Sequence, residues 1–401
     1  MRILCIDVGT GTQDILLFDS EQEIENCVQL IMPSPTQIVA RRVREATAVA
    51  HTLLLTGVTM GGGPGAWAVE EHIRAGLHVY ATPAAARTFD DDLQRVEAMG
   101  VRVVEPLEVA ELWQSLGPSR ATLIKMQDVD LEAIDRALAD FHEPARYDAL
   151  AVAVFDHGAA PPGYSDRRFR FDYISRQMEQ WGHQPVEQAL AAFAAPADRV
   201  HPDLTRLRAV ARTVQESRHA GLPLLLMDTG PAALLGALGD PVVAQASKDN
   251  ALFVNTGNFH TLAFHIVGGR IRALFEHHTG LLDGPRLLGL LERLVAGTLT
   301  NREIFDDNGH GALNLPARSG NRGQSQPQPQ PQPQSQSQKQ VRLCAVTGPR
   351  RAMLTCQSAP WPVYMAVPHG DMMLTGCFGL LRAFAVHFPA LADQISARLN
   401  L

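Results

Sequence analysis

Residues 3–19 read ILCIDVGTGTQDILLFD, in which an apolar run ends in an acidic residue, a glycine turn follows, and a second apolar run begins. A related stretch, ALFVNTGNFHTLAFHIV, occupies residues 251–267 and places Asn255 at the position of Asp7. Each copy predicts a β-hairpin, and each is followed by a third strand-like run and a helix. The wide spacing between the copies indicates a duplicated domain rather than a solenoid.

The predicted hairpin turns contain groups that bind phosphate. Glycine lets the backbone approach an anion closely, and successive N–H groups in such a turn form an anion-binding nest. Thr10 and Thr12 add hydroxyl donors, and Asp7 would hold Mg²⁺, usually through water. Two such turns facing one another would clamp a polyphosphate from both sides. The alternative interpretation is that both are ordinary tight hairpins.

Two other nucleotide-binding motifs do not fit the first hairpin. Gly9-x-Gly11 lacks the third glycine of a dinucleotide fingerprint, and it runs into a strand instead of a helix. The sequence also lacks the Gly-Lys-Ser/Thr ending of a P-loop.

The first hairpin, IDVGTGTQDILLFD, resembles the first phosphate motif of the superfamily of sugar kinases, heat-shock 70 ATPases and actin. MDTGPAALLGALGDPVV, which precedes ALFVNTGN, resembles carbohydrate kinases of the glycerol and xylulose kinase type. The resemblance implies an α/β protein with two ribonuclease H-like (actin-like) domains, each a mixed five-stranded sheet flanked by helices, with a cleft between them. It implies an ATP-dependent phosphotransferase with Mg-ATP in that cleft. Asp7 and Asp228 would be catalytic, with Asp7 as the metal ligand and Asp228 as the general base.

The same resemblance implies which residues contact ATP. They come from the two phosphate turns and from a later glycine segment, LTGCFGLLRAFA. They are Gly9, Thr10, Gly11, Thr12, Gly257, Asn258, Gly376 and Gly379. Asp228 also precedes a predicted helix, so a plain N-cap is the alternative interpretation of that residue.

Substrate candidates come from a glycine turn, an Asp-His pair and the histidines of the second half. They are Gly61, Gly62, Gly63, Asp156, His157, His260, His277 and His278. A sharp turn that allows close packing is the alternative for the glycines, and surface or structural roles are the alternative for the histidines. Arg167, Arg168 and Arg170 lie among aromatic residues and predict either a phosphate-docking patch or a solvated loop.

The whole chain also resembles an uncharacterised bacterial and archaeal family sometimes labelled pyruvate formate-lyase activating. The resemblance lies in TGVTMGGGP, DTGPAALLGA, NTGNFHTLA and EHHTG. Radical activation needs three closely spaced cysteines for an iron–sulfur cluster. The cysteines are widely spaced, and none forms C-x-x-C, which argues against that chemistry, a zinc site and a disulfide framework. They are Cys5, Cys27, Cys344, Cys356 and Cys377.

Two departures from the sugar kinases leave other functions open. Asn255 replaces the second-hairpin acid of many ATPases in the superfamily, and the large sugar-binding insertions are not recognisable. These features favour a nucleotide-responsive accessory or regulatory ATPase. The histidines leave open a His/Asp metal-dependent hydrolase on the same fold.

Length and composition predict the organisation of the chain. The 401 residues predict an N-terminal domain at 1–227, with an inserted region at about 85–220, and a C-terminal domain at 228–401. Residues 323–340, which alternate Gln with Pro or Ser, predict a disordered surface insertion.

Charge and hydropathy predict the partners and the compartment. A net charge of −7 gives no electrostatic footprint for nucleic acid or for an anionic membrane. We expect a small-molecule acceptor as the partner, and the sequence leaves a homodimer open. No apolar run approaches the roughly 20 residues of a membrane span, and no signal peptide is recognised, so we expect a cytoplasmic protein.

Overall fold

The structure is a computed structural model that describes residues 1–316, 340–355 and 359–399. Nearly all of the predicted Gln/Pro-rich insertion at 323–340 lies outside the described residues, as does Cys356. Within the described ranges, every helix falls short of the length and apolarity that a bilayer crossing demands.

The strands follow the apolar runs of the sequence. They are β1 (Arg2–Val8), β2 (Thr12–Asp19), β3 (Val28–Pro33), β4 (Thr52–Gly57), β5 (Val79–Ala81), β6 (Val101–Val103), β7 (Ala121–Met126), β8 (Ala149–Val154), β9 (Ala194–Pro196), β10 (Leu224–Asp228), β11 (Asn250–Thr256), β12 (His260–Val267), β13 (Arg270–His278), β14 (Gly311–Asn314), β15 (Leu343–Thr347) and β16 (Val363–Met365).

The helices begin mostly at Ser, Asp, Thr or Pro, which cap or start a helix. They are α1 (Pro35–Ala48), α2 (Pro64–Arg74), α3 (Pro83–Ala86), α4 (Leu93–Ala98), α5 (Pro106–Leu116), α6 (Leu131–Asp140), α7 (Asp166–Trp181), α8 (Val186–Ala191), α9 (Thr205–Gln215), α10 (Thr229–Ala237), α11 (Pro241–Ser247), α12 (Gly284–Ala296), α13 (Asn301–Asp306), α14 (Ala352–Thr355), α15 (Thr375–His387) and α16 (Pro389–Leu399).

Two sheets of the described chain share one topology. The N sheet has the order β3-β2-β1-β8-β10-β9, in which β1, β2 and β3 pair antiparallel while β8 and β10 run parallel to β1. The C sheet, β14-β13-β12-β11-β15-β16, repeats this arrangement with β11, β12 and β13 antiparallel and β15 and β16 parallel to β11. The duplication expected from the two hairpins is therefore present in the backbone.

The sheets differ in one respect from the prediction. Each has six strands rather than five, because β9 pairs antiparallel with β10 and β14 pairs antiparallel with β13. A separate parallel sheet, β6-β5-β4-β7, is built from residues 52–126. The predicted mixed α/β class is confirmed.

The N sheet lies between two apolar cores, which explains why β1 is an almost unbroken apolar run. Side chains alternate along a strand, so Ile3 and Cys5 pack into one core while Leu4 and Ile6 pack into the other. A strand covered on both faces needs apolar residues at successive positions.

Helix α7 lies in a region rich in Pro, Arg and Ala, whose apolar residues show little helical periodicity. Its buried stripe consists of Arg170, Phe171, Ile174 and Met178, spaced as one face of a helix. A buried arginine within that stripe weakens the amphipathic pattern. The segment 166–181 is thus an ordered helix and not the solvated loop that the sequence left open.

Helices α10 and α15 pack so closely that glycine is required at their crossing. A Cβ atom on Gly236 would lie 1.7 Å from the carbonyl oxygen of Thr375, and one on Gly379 would lie 1.8 Å from that of Ala232. Gly379 therefore serves helix packing.

We expect Gly379→Ala to destabilise the protein by about 1–3 kcal/mol or more, because its methyl group must displace backbone atoms. Gly289→Ala is the matched control, since Gly289 also lies in a helix but has nothing within 4 Å of its Cβ position. We expect that control to stabilise by about 0.5–1 kcal/mol through helix propensity. Urea unfolding measures both, and equal effects would contradict the close-packing argument.

Candidate active site

A cavity of about 640 Å³ lies where the two hairpins approach the glycine turn before α2. It collects most of the predicted site residues. These are Asp7, Gly9, Thr10, Gly11, Thr12, Gly61, Gly62, Gly63, Asp156, His157, Gly257, Asn258, His260 and Gly376. Its volume is within the range of small-molecule sites.

The two hairpin turns have the same backbone hydrogen bond. Gly9 N–H donates to the carbonyl of Thr12 at 2.9 Å, and Gly257 N–H donates to the carbonyl of His260 at 2.9 Å. The turns also face each other, because a Cβ atom on Gly11 would lie 2.9 Å from Asn258 Nδ2. Main-chain amides of both sheets therefore border one cavity.

Asp7 and Asp14 form a carboxylate pair in this cavity. They are directly opposite one another in the register of β1 and β2. Thr229 Oγ1 donates to Asp7 Oδ1 at 2.6 Å, and a Cβ atom on Gly376 would lie 1.9 Å from Asp7 Oδ2, so glycine is needed there. Among the described residues, Asp14 Oδ1 is buried and lacks a hydrogen-bond partner.

Burial and nearby negative charge raise the pKa of both carboxyl groups. Burial raises the pKa of Asp7 to about 6, with the neighbouring charge of Asp228 adding to the increase and the Thr229 hydrogen bond opposing it. Burial and the charge of Asp7 raise the pKa of Asp14 to about 7. A cation between these groups would favour their ionised forms.

The glycine turn lies against an ion pair between the half-buried Arg206 and the buried Asp128. Arg206 donates to Asp128 through Nε at 2.7 Å and through Nη2 at 2.8 Å, and Gly61 N–H donates to the same carboxylate at 3.1 Å. A Cβ atom on Gly61 would lie 2.5 Å from Arg206 Nη2. Gly63 has a φ of 50°, which favours glycine, and its Cβ position lies 2.9 Å from the Phe259 ring.

A buried ion-pair triad lies beside the cavity. Arg170 on α7 donates to Asp228 Oδ1 at 3.1 Å and also binds Asp228 Oδ2. The same guanidinium donates to Glu276 at 3.1 Å through Nε and at 2.9 Å through Nη2. Asp228 ends β10 of the N sheet and Glu276 lies in β13 of the C sheet, so Arg170 joins the two sheets.

This geometry does not suit Asp228 as a general base. Its carboxylate is held by Arg170 and accepts the N–H of Gly230 at 3.2 Å as the N-cap of α10, and the residue does not line the cavity. The N-cap interpretation of Asp228 therefore holds. Arg170 is 1% exposed, so it is not part of a surface patch that could dock phosphate.

Three other predicted residues lie outside the cavity lining. Gly379 packs on Ala232, as described above. His277 is fully buried, with Nε2 3.2 Å from Asp307 Oδ2 and Nδ1 3.1 Å from the carbonyl of His278, which is a structural role. His278 is the register partner of His260 but lies outside the cavity lining.

Several lining residues were not identified from the sequence. Asp14 stands in the quoted hairpin and follows its phosphate turn, so the strand register could have placed it opposite Asp7. Arg206 and Phe259 reach the cavity from α9 and from the second hairpin turn. Glu276 precedes the two histidines that were identified. Arg206 is distant in sequence from its partner Asp128, so no short sequence motif could have predicted that the two side chains pair.

A histidine group forms one wall. His157 and His260 line the cavity, and His310 lies next to them with ring centroids 5.9 and 5.0 Å from theirs. Phe155 stacks on His260 at 3.9 Å. Burial lowers the pKa of His157 to about 3 and also lowers the pKa values of His260 and His310, with nearby positive charges contributing to each shift.

A family model described as "Putative pyruvate format-lyase activating enzyme (DUF1786)" matches residues 60–353. The chain belongs to the DUF1786 family. The predicted relationship to a family with that label is confirmed. The matched segment of this DUF1786 protein includes the glycine turn, the triad and the second hairpin. A comparison with curated proteins found no match.

Solved structures provide distant likenesses. The ROK hexokinase from Thermus thermophilus is 10% identical, with 98% of this chain and 100% of that chain covered and a TM-score of 0.28. The Ppx/GppA family member from Aquifex aeolicus is 11% identical, with 75% and 63% covered and a TM-score of 0.24. An exopolyphosphatase-like protein is 10% identical, with 77% and 61% covered and a TM-score of 0.22. The chain thus spans about three fifths of the length of that last protein.

We expect Asp14→Asn to stabilise the protein at pH about 8 in the presence of chelator. The folded pKa of Asp14 is raised, so its contribution to stability is fully present below the unfolded pKa of about 4. That contribution is lost as the pH rises toward about 7, where the folded carboxyl ionises beside Asp7. Urea unfolding of both proteins measures this difference, which should vanish below pH about 4. A difference that is independent of pH would contradict the assignment.

We expect Arg170→Gln to destabilise the protein by about 3–5 kcal/mol, because two buried carboxylates would lose their cation. Arg176→Gln is the matched control, since Arg176 lies on the same helix but is exposed. We expect the control to change the free energy of unfolding by no more than about 0.5 kcal/mol. Similar values for the two variants in urea titrations would show that the triad does not stabilise the fold.

Proposed function

We propose that this DUF1786 protein is an ATP-dependent phosphotransferase that holds Mg-ATP in the cavity between the N sheet and the C sheet. One observation carries the proposal: two hairpin turns of equivalent topology face each other across a single cavity, with Gly11 and Asn258 in contact range. Backbone amides from both turns would bind the phosphates. In this proposal the two sheets are the centres of two actin-like domains divided near residue 227.

The donor set at one end of the cavity fits Mg²⁺. Magnesium prefers oxygen ligands and usually keeps several waters while binding one or two carboxylates. Asp7 supplies a carboxylate from β1, and Asn255 lines the same cavity with an amide oxygen. Asp7 would hold the ion, commonly through water. When bound, the ion would neutralise charge on the transferring phosphate.

The remaining parts of the nucleotide site follow from the other lining residues. Thr10 and Thr12 would donate hydroxyl hydrogen bonds to phosphate, next to the amide of Asn258. Gly257 would shape the turn, because its N–H donates to the carbonyl of His260. Pro349, Met372 and Met373 line the cavity as well and offer apolar surface to an adenine ring. The cavity volume of about 640 Å³ would accommodate the nucleotide.

Asp14 is a better candidate for the general base than Asp228. Asp228 is bound by Arg170, whereas Asp14 lines the cavity and has, within the described chain, a carboxylate oxygen without a hydrogen-bond partner. A base must be within reach of the proton that it removes. We propose that Asp14 orients or deprotonates the acceptor hydroxyl, while Asp228 positions Arg170.

A nucleotide-responsive ATPase without a small acceptor is the second candidate. It is favoured by the ion pair that occupies Asp228, the residue that matches the base of carbohydrate kinases. Asn255 in place of an acid points the same way. ATP turnover that no hydroxyl compound accelerates would favour this ATPase over the phosphotransferase.

The family's description does not supply the reaction that we propose. Radical activation through an iron–sulfur cluster uses closely spaced cysteines. Cys5, Cys344 and Cys377 lie in β1, β15 and α15, and Cys27 directly precedes β3; all four are buried. The proposal therefore rests on the hairpins and their carboxylates.

We expect the protein to bind Mg-ATP and Asp7→Asn to weaken that binding by at least about tenfold, or about 1.4 kcal/mol. Isothermal titration calorimetry measures both affinities. Asp19→Asn is the matched control, since Asp19 belongs to the same hairpin but pairs with Arg2 outside the cavity. The proposal fails if the unaltered protein binds no Mg-ATP, or if Asp7→Asn binds it as tightly as Asp19→Asn does.

A further inference from the structure

Three segments that are distant in sequence bring three histidines together. His157 follows β8 of the N sheet, His260 opens β12 of the C sheet, and His310 directly precedes β14. One imidazole nitrogen of each lies within 4.8 Å of the corresponding nitrogens of the other two. Side-chain rotation can close such spacing onto one ion, because zinc–nitrogen bonds are about 2.0–2.1 Å long.

Three ring nitrogens of this group, two on His310 and one on His260, are buried without a hydrogen-bond partner in the described part of the chain. His310 is 1% exposed, and neither of its ring nitrogens has a hydrogen-bond partner. His260 Nε2 is also buried without one. A buried polar atom that loses its hydrogen bond costs about 1–3 kcal/mol, so three such atoms in one place call for a ligand. A metal ion would accept the imidazole lone pairs.

We propose that His157, His260 and His310 bind one divalent transition-metal ion at the wall of the cavity. Three imidazoles select zinc or a similar first-row ion and do not suit magnesium, which prefers oxygen. Three histidines with a fourth position open also make up a common catalytic zinc set. His157 and His260 line the cavity, so an ion held there is reached from the cavity.

Charges of both signs surround the group, and burial and the nearby arginines lower the histidine pKa values. Arg170 lies near the histidines, but Asp228 and Glu276 bind its guanidinium, so the triad carries more negative than positive charge. Glu276 Oε2 lies 3.9 Å from His310 Nδ1, which is too long for a hydrogen bond but places a carboxylate behind that ring. A carboxylate at hydrogen-bond distance orients a metal-binding histidine, so Glu276 would have to move closer to His310 to play that role.

His278 is a neighbour of the group and not a member of it. Its ring centroid lies 4.7 Å from that of His310 and 5.0 Å from that of His260. Its nitrogens do not converge with the other three. The set therefore has three protein ligands, which leaves a coordination position for water or for an oxygen of a substrate.

The experiment uses the full chain stripped of metal by chelator and titrated with Co²⁺, followed by visible absorption, with Zn²⁺ competition afterwards. We expect one Co²⁺ per chain with an intense d–d band, lost on adding one equivalent of Zn²⁺. We expect His157→Asn and His310→Gln each to weaken Co²⁺ binding by about 10–100-fold or more.

Two controls make the result specific. His265→Gln should keep the Co²⁺ band, since His265 is a buried histidine of the same strand as His260 whose Nε2 lies 2.8 Å from Asn250 Oδ1. Asp7→Asn should also keep it, which separates this site from the proposed magnesium position. Circular dichroism of each variant checks that it is folded.

Failure of the unaltered protein to take up stoichiometric Co²⁺ or Zn²⁺ would overturn the proposal. So would unchanged affinity in both His157→Asn and His310→Gln, or an equal loss in folded His265→Gln. No nucleotide is present in this experiment, so its failure is distinguishable from failure of the Mg-ATP proposal. Calorimetry with Mg-ATP and without transition metal decides that proposal.

Discussion

Two buried carboxylates on one buried guanidinium are the constraint from which the rest of this structure follows. Arg170 can be buried only because Asp228 and Glu276 neutralise it, and those acids come from different sheets. Removing two acids and a base from water is costly, and close hydrogen-bonded geometry is what offsets the cost. The guanidinium also lies over the Phe155 ring, 4.1 Å from its centroid, beside the histidine group. The Arg170 side chain therefore joins the two sheets, neutralises two buried carboxylates and packs against the aromatic wall of the cavity.

The helices that follow each sheet add a second constraint of a different kind. Gly236 and Gly379 let α10 and α15 approach until backbone meets backbone, and Gly376 brings the start of α15 onto Asp7. The N-terminal end of α10 supplies Thr229, which holds the other oxygen of the same carboxylate. Close packing, rather than a flexible loop, therefore fixes Asp7 in the wall of the cavity.

The sequence predicted the elements that short stretches of chain determine, and it missed the features that depend on contacts between residues far apart in the chain. Both hairpins, the glycine turn and the helix at 284–296 follow from apolar periodicity and glycine placement within short windows. The six-stranded width was missed because β9 and β14 are short edge strands. Helix α7 and the role of Arg170 were missed because an arginine in a buried stripe looks polar until its partner, 106 positions away, is known. His310 carries no local motif at all, and only the fold brings it to His157.

The two hairpin turns share one backbone hydrogen bond but differ in their side chains, and this difference would orient a ligand bound between them. The backbone halves are nearly equivalent, yet one carries Asp7 and Asp14 where the other carries Asn255 and Leu262 at matching register positions. A linear chain of phosphates lying between them would meet similar turns from both sides, but an aspartate pair at one hairpin and Asn255 with Leu262 at the other. The two halves of the site therefore have the same backbone but different side chains. A bound phosphate chain would have a preferred direction in it, although the two halves arose by duplication.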